Sequence, residues 1–461
     1  MKPEKTAVSP GICDRPRQFL AALLVAAGAS LLPAADVGSV EQRLHALEET
    51  VARLQRENAA LRRETGRDGL AKPAAPAPVQ PTAPGIRLTG EIRGRFSSTM
   101  YQADEAATRD QFFFQVRVGF VAAVSETFDA GLRLSAGDLN ANFGGTPLSA
   151  QFSAADNGSK KFVFFDQAFI RWKPTSAPGT KAAFTFGKSE NLFYTPSRIL
   201  FDSDYTPEGL TQEFFYQASA RDRFWWAAGQ YLIDDLTASA RDPWMIAVRT
   251  RWEAQWTPAW SSTLGGGWLG LTHAEGLTAA NVANNNRGNT RTAAGVPAYA
   301  YRPFYAEAGV TRLLNDAPGY TGKFPITLHA DLLHNPGAPE ANDAWSAGLT
   351  LGKAGKAGQW EIAYRHLRIG ADAWYEEMLD ADYGAFYRSV PPGWNNDAAS
   401  RAGGHGGGTN IRSHSIRSSY SPKDYLLLSA NLFINDFLRR MPGNATDTGT
   451  TRLQLEALVR F

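Results

Sequence analysis

Between Gly187 and Gly209 the chain reads GKSENLFYTPSRILFDSDYTPEG, placing Glu190, Asp202, Asp204 and Glu208 around Arg198 among aromatics and two prolines. A second set of charges, Arg93, Arg95, Arg117, Arg133, Arg249 and Arg251, alternates with apolar residues elsewhere. The chemistry open to two such sets is electrostatic. Acids on a loop that face arginines on a wall set a transverse field across water, in which polar solutes align while apolar ones lose hydration without compensation.

Covalent and metal chemistry have little to stand on. The only cysteine is Cys13; it lies in a segment read below as removed, so thiolate nucleophiles, disulfides and thiolate metal sites are excluded. GGGWLG (Gly265–Gly270) fits GxGxxG, but it sits in an alternating stretch with no helix after it. GGHGGG around His405 reads as a loop. His329 and His334 are five apart on a strand, and His414 and Ser415 are adjacent, so each pair points to opposite faces. No CxxCH haem motif occurs. The chain is read as no enzyme, with no cofactor and no metal.

The elements that must position the charges are strands of period two. At the end of the chain, TRLQLEALVRF sets Leu453, Leu455, Ala457, Val459 and Phe461 on one face and Arg452, Gln454, Glu456 and Arg460 on the other. An apolar face outside and a polar face inside suit a strand of a membrane barrel. In the same way Ile86, Leu88, Gly90, Ile92 and Phe96 face out, leaving Arg87, Thr89, Glu91, Arg93 and Arg95 inside; Phe114, Val116, Val118 and Phe120 face out against Gln115 and Arg117. Ile246, Val248 and Trp252 face out against Arg249 and Arg251. Asp166 to Arg171 does not sort. Trp172, Trp225, Trp256, Trp260, Trp268 and Trp345 fall near strand ends, where interfacial girdles form.

Sixteen strands are predicted: 86–97, 111–124, 127–137, 161–173, 180–189, 209–218, 223–233, 243–257, 259–271, 302–312, 324–334, 343–353, 358–370, 409–420, 423–434 and 450–461. The connections at 125–126, 174–179, 219–222, 258, 313–323, 354–357 and 421–422 are short or rich in turn residues. Every other one is expected to be longer, and 138–160, 190–208, 272–301 and 371–408 far longer. Such alternation is what an up-and-down barrel gives, with short periplasmic turns and long external loops. The last strand is expected to pair with Ile86 to Ser97 and close the wall.

Composition agrees. Gly (43), Trp (12), Tyr (15) and Phe (26) are plentiful while mean hydropathy is −0.30, as a barrel that hides its apolar residues at alternate positions allows. After the first 35 residues no apolar run approaches the roughly 20 that a membrane helix needs. Residues 1–35 resemble an export signal, with Lys2, Lys5, Arg15 and Arg17 before the apolar run Phe19–Leu32. Cleavage fits after Ala35, or after Ala29 with Ala27 at minus three. Losing this segment takes four bases and two acids from totals of 47 and 45, leaving a near-neutral chain with no footprint for nucleic acid.

Residues 36–66 read as a short periplasmic coiled coil, with Val37, Leu44, Val51 and Asn58 at a and Val40, Leu47, Leu54 and Leu61 at d. Its four heptads span about 42 Å at 1.5 Å per residue. A lone amphipathic helix lying on the barrel or on lipid is the alternative. Residues 67–85, including KPAAPAPVQPTAPG, form a Pro/Ala linker, and 86–461 form the barrel.

The GK…NLF…FDSD…PEG run resembles the putative porins of Gram-negative bacteria, which carry a similar run and often an N-terminal coiled coil. The likeness spans signal, stalk and barrel; this loop and the terminal strand are its specific parts. It implies an outer-membrane pore for small hydrophilic solutes or ions, whose third long loop folds inward, so that Glu190, Arg198, Asp202, Asp204 and Glu208 narrow the passage. It also implies recognition of Phe461 by barrel-insertion machinery and contact with outer-membrane lipid and lipopolysaccharide. Val at a, Leu at d and one Asn favour a two-stranded stalk, whereas the resemblance implies a homo-oligomer that is a trimer; the trimer is the expectation adopted. The alternative role is a tether between outer membrane and cell wall, with peptidoglycan as the stalk's partner. The expected fold class is therefore an all-β transmembrane barrel of about sixteen antiparallel strands, preceded by a short α-helical coiled coil.

Overall fold

The computed structural model describes residues 85–102, 108–137, 160–237, 239–278, 288–384, 408–439 and 449–461, with Glu49, Arg53, Gly158 and the two-residue strands Phe152–Ser153, Phe386–Tyr387 and His405–Gly406. Two units separate, Met1–Gln80 and Pro81–Phe461. Of the first, only Glu49 and Arg53 are described, both helical. The signal at 1–35, the coiled coil at 36–66 apart from Glu49 and Arg53, and all of the linker but Gly85 lie outside the described residues.

Alternating sequence becomes alternating strand. The wall consists of β1 (Ile86–Tyr101), β2 (Arg109–Ala123), β3 (Phe128–Gly137), β4 (Phe162–Trp172), β5 (Thr180–Lys188), β6 (Glu208–Gln217), β7 (Asp222–Leu232) and β8 (Trp244–Thr257). It continues through β9 (Trp260–Thr272), β10 (Phe304–Leu314), β11 (Phe324–His334), β12 (Asp343–Gly352), β13 (Gln359–Ile369), β14 (Ile411–Lys423), β15 (Leu426–Phe437) and β16 (Thr450–Arg460). Each pairs antiparallel with the next, and β16 pairs with β1 from Glu91↔Arg460 to Tyr101↔Thr450, which closes a sixteen-strand barrel. The predicted seam is the observed one. Phe152–Ser153 adds a two-residue bridge to β2.

The outside is apolar. Ile86, Leu88, Ile92, Phe114, Val118, Leu328, Ile362 and Val459 are exposed on it, while Ser97, Gln115, Arg249, Asp331, Asn431 and Gln454 are buried on the inner side. Trp172, Trp256, Trp260 and Trp345 are exposed near strand ends. Trp225 departs from the girdle expectation: it donates to Glu213 at 2.7 Å, and the guanidiniums of Arg249 and Arg251 lie 5.6 and 5.1 Å from its ring. Its strand parity puts it inside, opposite in sense to the exposed Trp226.

Three local departures have physical causes. Arg133 pairs with Gln167 but Leu134 with Phe165, so Asp166 is an inserted residue. That bulge re-aims its side chain and is why the alternation from Asp166 could not be sorted. The turn expected at Ser421-Pro422 instead falls at Asp424-Tyr425, because an irregularity between Tyr420 and Lys423 keeps Pro422, which has no N–H for the ladder, within β14. Thirdly, the connection at 335–342 is no longer than its neighbour at 315–323, so the long–short alternation lapses there. The long side is labelled L1 (102–108), L2 (138–161), L3 (189–207), L4 (233–243), L5 (273–303), L6 (335–342), L7 (370–410) and L8 (438–449).

The GGGWLG glycines lie inside β9. A Cβ at Gly265 would meet Glu307 Oε1 at 2.7 Å, and one at Gly267 would meet Val248 O at 2.0 Å and Tyr305 Oη at 2.8 Å. Side chains of the neighbouring strand lie across this bare backbone, a packing role for the run.

Candidate functional site

L3 is built around its apolar residues. Phe193, Ile199, Leu200 and Phe201 are buried with Tyr231, Met245 and Leu269 of β7, β8 and β9, and with Trp374, Tyr375, Met378 and Leu379 of L7. Polar clips fix the backbone that these residues seat. Trp374 Nε1 donates to Leu200 O at 2.8 Å and Asp202 N to Met378 O at 2.7 Å. Arg249, 3% exposed, donates to the carbonyls of Leu192 (2.9 Å) and Tyr194 (2.8 Å) while its other nitrogens hold Glu307 at 2.7–3.0 Å. A polar group so enclosed is affordable only when fully partnered.

The charged residues of the 190–208 segment fall into two sets. Arg198, at φ 60°, holds Asp380 of L7 and comes within 3.8 Å of Asp382. Asp204 accepts from Arg117 of β2 at 2.7 Å. Burial would push the Asp204 carboxyl up, but Arg117, with Arg93 and Arg95 behind it, holds it below the usual carboxylate range. Asp202 accepts from the Asp204 amide at 2.9 Å. Its carboxyl is pushed well above the usual range, first by burial and then by the carboxylates of Asp380 and Asp204. Glu190 is exposed, and Glu208 pairs with Lys188 at 2.7 Å; the fold does not bring these two to the arginine cluster.

The wall arginines also divide. Arg117 reaches Glu91 at 3.2 Å and Asp166 at 3.3 Å as well as Asp204, and Arg133 shares Asp166. Arg95 pairs with Glu456 across the β1–β16 seam, and Arg93 lies 3.9 Å from the same carboxylate. Arg117 and Arg133 are thus joined to Asp204 by ion pairs, while Arg93 and Arg95 meet at Glu456 and act on Asp204 through their field. Arg249 is the clip described above, and Arg251 pairs with Glu253 at 2.9 Å. Phe461 exchanges backbone hydrogen bonds with Gly90 at 2.9 and 3.0 Å.

Two acids missing from the sequence expectation, Asp380 and Asp382, belong to L7. Asp382 lies 3.3 Å from Arg452 and 4.0 Å from Arg95, and accepts from Gln454 at 2.7 Å. Burial opposes its charge, yet Arg95, Arg452 and Arg198 hold its carboxyl down at about 2. The run WYEEMLDADY from Trp374 to Tyr383 was the available signal: like L3 it mixes acids with buried-type aromatics. L7 is in turn bound to L5 through Arg291 and Glu376, both fully buried and 2.8 Å apart. Among the described residues no group of three or more His, Cys, Asp or Glu side chains could hold a metal ion.

The arrangement can hold fixed charges of both signs, partly exposed, inside the wall of the barrel. Residues 79–302 match the family described as putative porin. The chain is also similar to the high-pH structure of Pseudomonas putida OprB, at 13% identity and a TM-score of 0.50, covering 82% of this chain and 94% of that one. A loop L8 deletion mutant of Vibrio cholerae OmpT aligns at 13% identity and a TM-score of 0.42, covering 82% and 100%. At these identities the OprB likeness speaks to fold alone. No curated protein matches the sequence.

Proposed function

We propose that this chain, a member of the putative porin family by residues 79–302, forms an outer-membrane pore for passive diffusion of small hydrophilic solutes or ions. The observation that carries the reading is the inner charge network: Arg93, Arg95, Arg117 and Arg133 gathered with Glu456, Asp166 and Asp204 inside a closed barrel with an apolar exterior. Wall carboxylates Asp166 and Glu456 are interleaved with these arginines and Asp204 adds a carboxylate from a loop, an inward clustering that side chains solvating a surface would not need. In this reading L3 crosses the lumen as a constriction, its apolar residues anchored on one side by Arg249 and its Asp204 reaching Arg117 on the other. Arg198, Asp202 and Asp204 then line the narrow zone, with Glu190 and Glu208 at its margins. Opposed charges there align polar solutes and slow apolar ones.

The protomers are assigned to a homo-oligomer, a trimer by the sequence resemblance, set in outer-membrane lipid with the 36–66 stalk in the periplasm. Recording from single channels in planar bilayers under a salt gradient tests the reading. Discrete conductance steps are expected, and a reconstituted, folded chain that passes no ions would overturn it.

A further inference from the structure

The alternation of the wall cannot predict a charge brought in by a loop, and L7 brings one to the junction of three elements. Asp382 Oδ1 faces Arg452 of β16 at 3.3 Å and Arg95 of β1 at 4.0 Å, and its Oδ2 faces Arg198 of L3 at 3.8 Å. Gln454 donates to Oδ1 at 2.7 Å. The side chain keeps 16% of its exposure, so its charge is neither lost in bulk water nor sealed from it. Neighbouring Asp380 takes the closer contact of Arg198, which ties the two loops together beside the wall.

We propose that Asp382 is a selectivity-determining residue of the pore, making L7 a second arm of the constriction: it sets the balance of anion against cation passage by cancelling the field of Arg95, Arg198 and Arg452. The inference rests on the porin reading above. A clasp that only tied L7 to the wall would hold geometry without governing which ions pass. The two differ in what neutralisation does. Removing one negative charge beside three guanidiniums tips this zone toward positive charge, even though Glu456 still pairs with Arg95 and Asp380 with Arg198, and at about 4 Å in watery surroundings a unit charge changes the occupancy of a passing ion by about 5-fold.

The test uses the full-length chain in planar bilayers with a potassium chloride gradient, comparing wild type with Asp382→Asn, Asp382→Glu and Glu340→Gln. Asp382→Asn is expected to lower the potassium-to-chloride permeability ratio by about 2- to 5-fold, with Asp382→Glu keeping the wild-type ratio. Glu340→Gln, which removes an exposed L6 carboxylate paired with Arg439 at 3.1 Å, should keep the wild-type ratio. If Asp382→Asn conducts at the wild-type ratio, the proposal is overturned and the pore reading stands. A larger or noisier current with an unchanged ratio also overturns it, because that is the signature of a clasp. A folded wild type that does not conduct overturns both.

Discussion

The ring of Phe461 occupies the space that a side chain on Gly90 would need: a Cβ there would lie 2.3 Å from its Cε2 and Cζ atoms. The same two residues exchange both backbone hydrogen bonds, so the aromatic is seated on the bare backbone of β1 where the barrel closes.

Gly90→Val should therefore push the ring off its seat. The ring is 69% exposed and can swing aside, so a loss of at most about 1 kcal/mol, the low end for overpacking, is expected in urea unfolding from lipid vesicles. Phe461→Ala should remove most of that penalty. If the two substitutions are simply additive, the ring and the glycine are not coupled.

Asp202 and Asp204 should behave differently although they are two residues apart. Asp204→Asn is expected to shift the reversal potential toward anions at neutral pH, because Arg117 keeps that carboxylate ionised. Asp202, pushed well above the usual range, should contribute charge only as pH rises, so wild-type cation preference should grow with pH and Asp202→Asn should flatten the rise. The linkage sign follows: a carboxyl with a raised folded pKa favours the folded state while protonated, and that stability is lost as pH rises through the folded value. An identical pH profile in Asp202→Asn would show that the carboxyl is already ionised.

Arg249→Met should release L3. Glu307 loses its buried partner, at a cost of about 3–5 kcal/mol, and the Leu192 and Tyr194 carbonyls lose their donor. Larger, flickering single-channel currents are expected. Steady currents of wild-type size would mean that the apolar anchors of L3 suffice.

Arg291→Met should loosen L7 from L5, because it strands the buried Glu376 carboxylate, again at about 3–5 kcal/mol. Faster amide exchange across 371–379 is expected, and Arg291→Met with Glu376→Met should recover most of the protection. A double variant as loose as the single would point to lost hydrogen bonds, such as that from the Asn289 amide to Glu376, as the cause.

Deleting residues 37–64 separates the pore from the tether role. Conductance should persist unchanged in bilayers. Leakage of periplasmic protein from cells carrying the deletion would assign the stalk a tethering role, and an intact envelope would remove it.

What the sequence determined follows from a local rule. Side chains on a strand alternate, and lipid tolerates apolar residues outside while water inside rewards charge, so Ile86 to Phe96 and Leu453 to Phe461 disclose their faces, their pairing across the seam and the inward arginines without any coordinates. The same rule assigned Arg249 its face but not its task, since carbonyls of a distant loop complete it. Loops have no period. That Arg198 meets Asp380, that Asp382 joins Arg95 and Arg452, and that Asp166 bulges inward between Arg117 and Arg133 depend on which strands stand side by side around the barrel and how two apolar loop cores pack. Ion pairs between residues far apart in the chain form only after the wall has closed, so the tertiary structure alone decides which of the legible charges share a site.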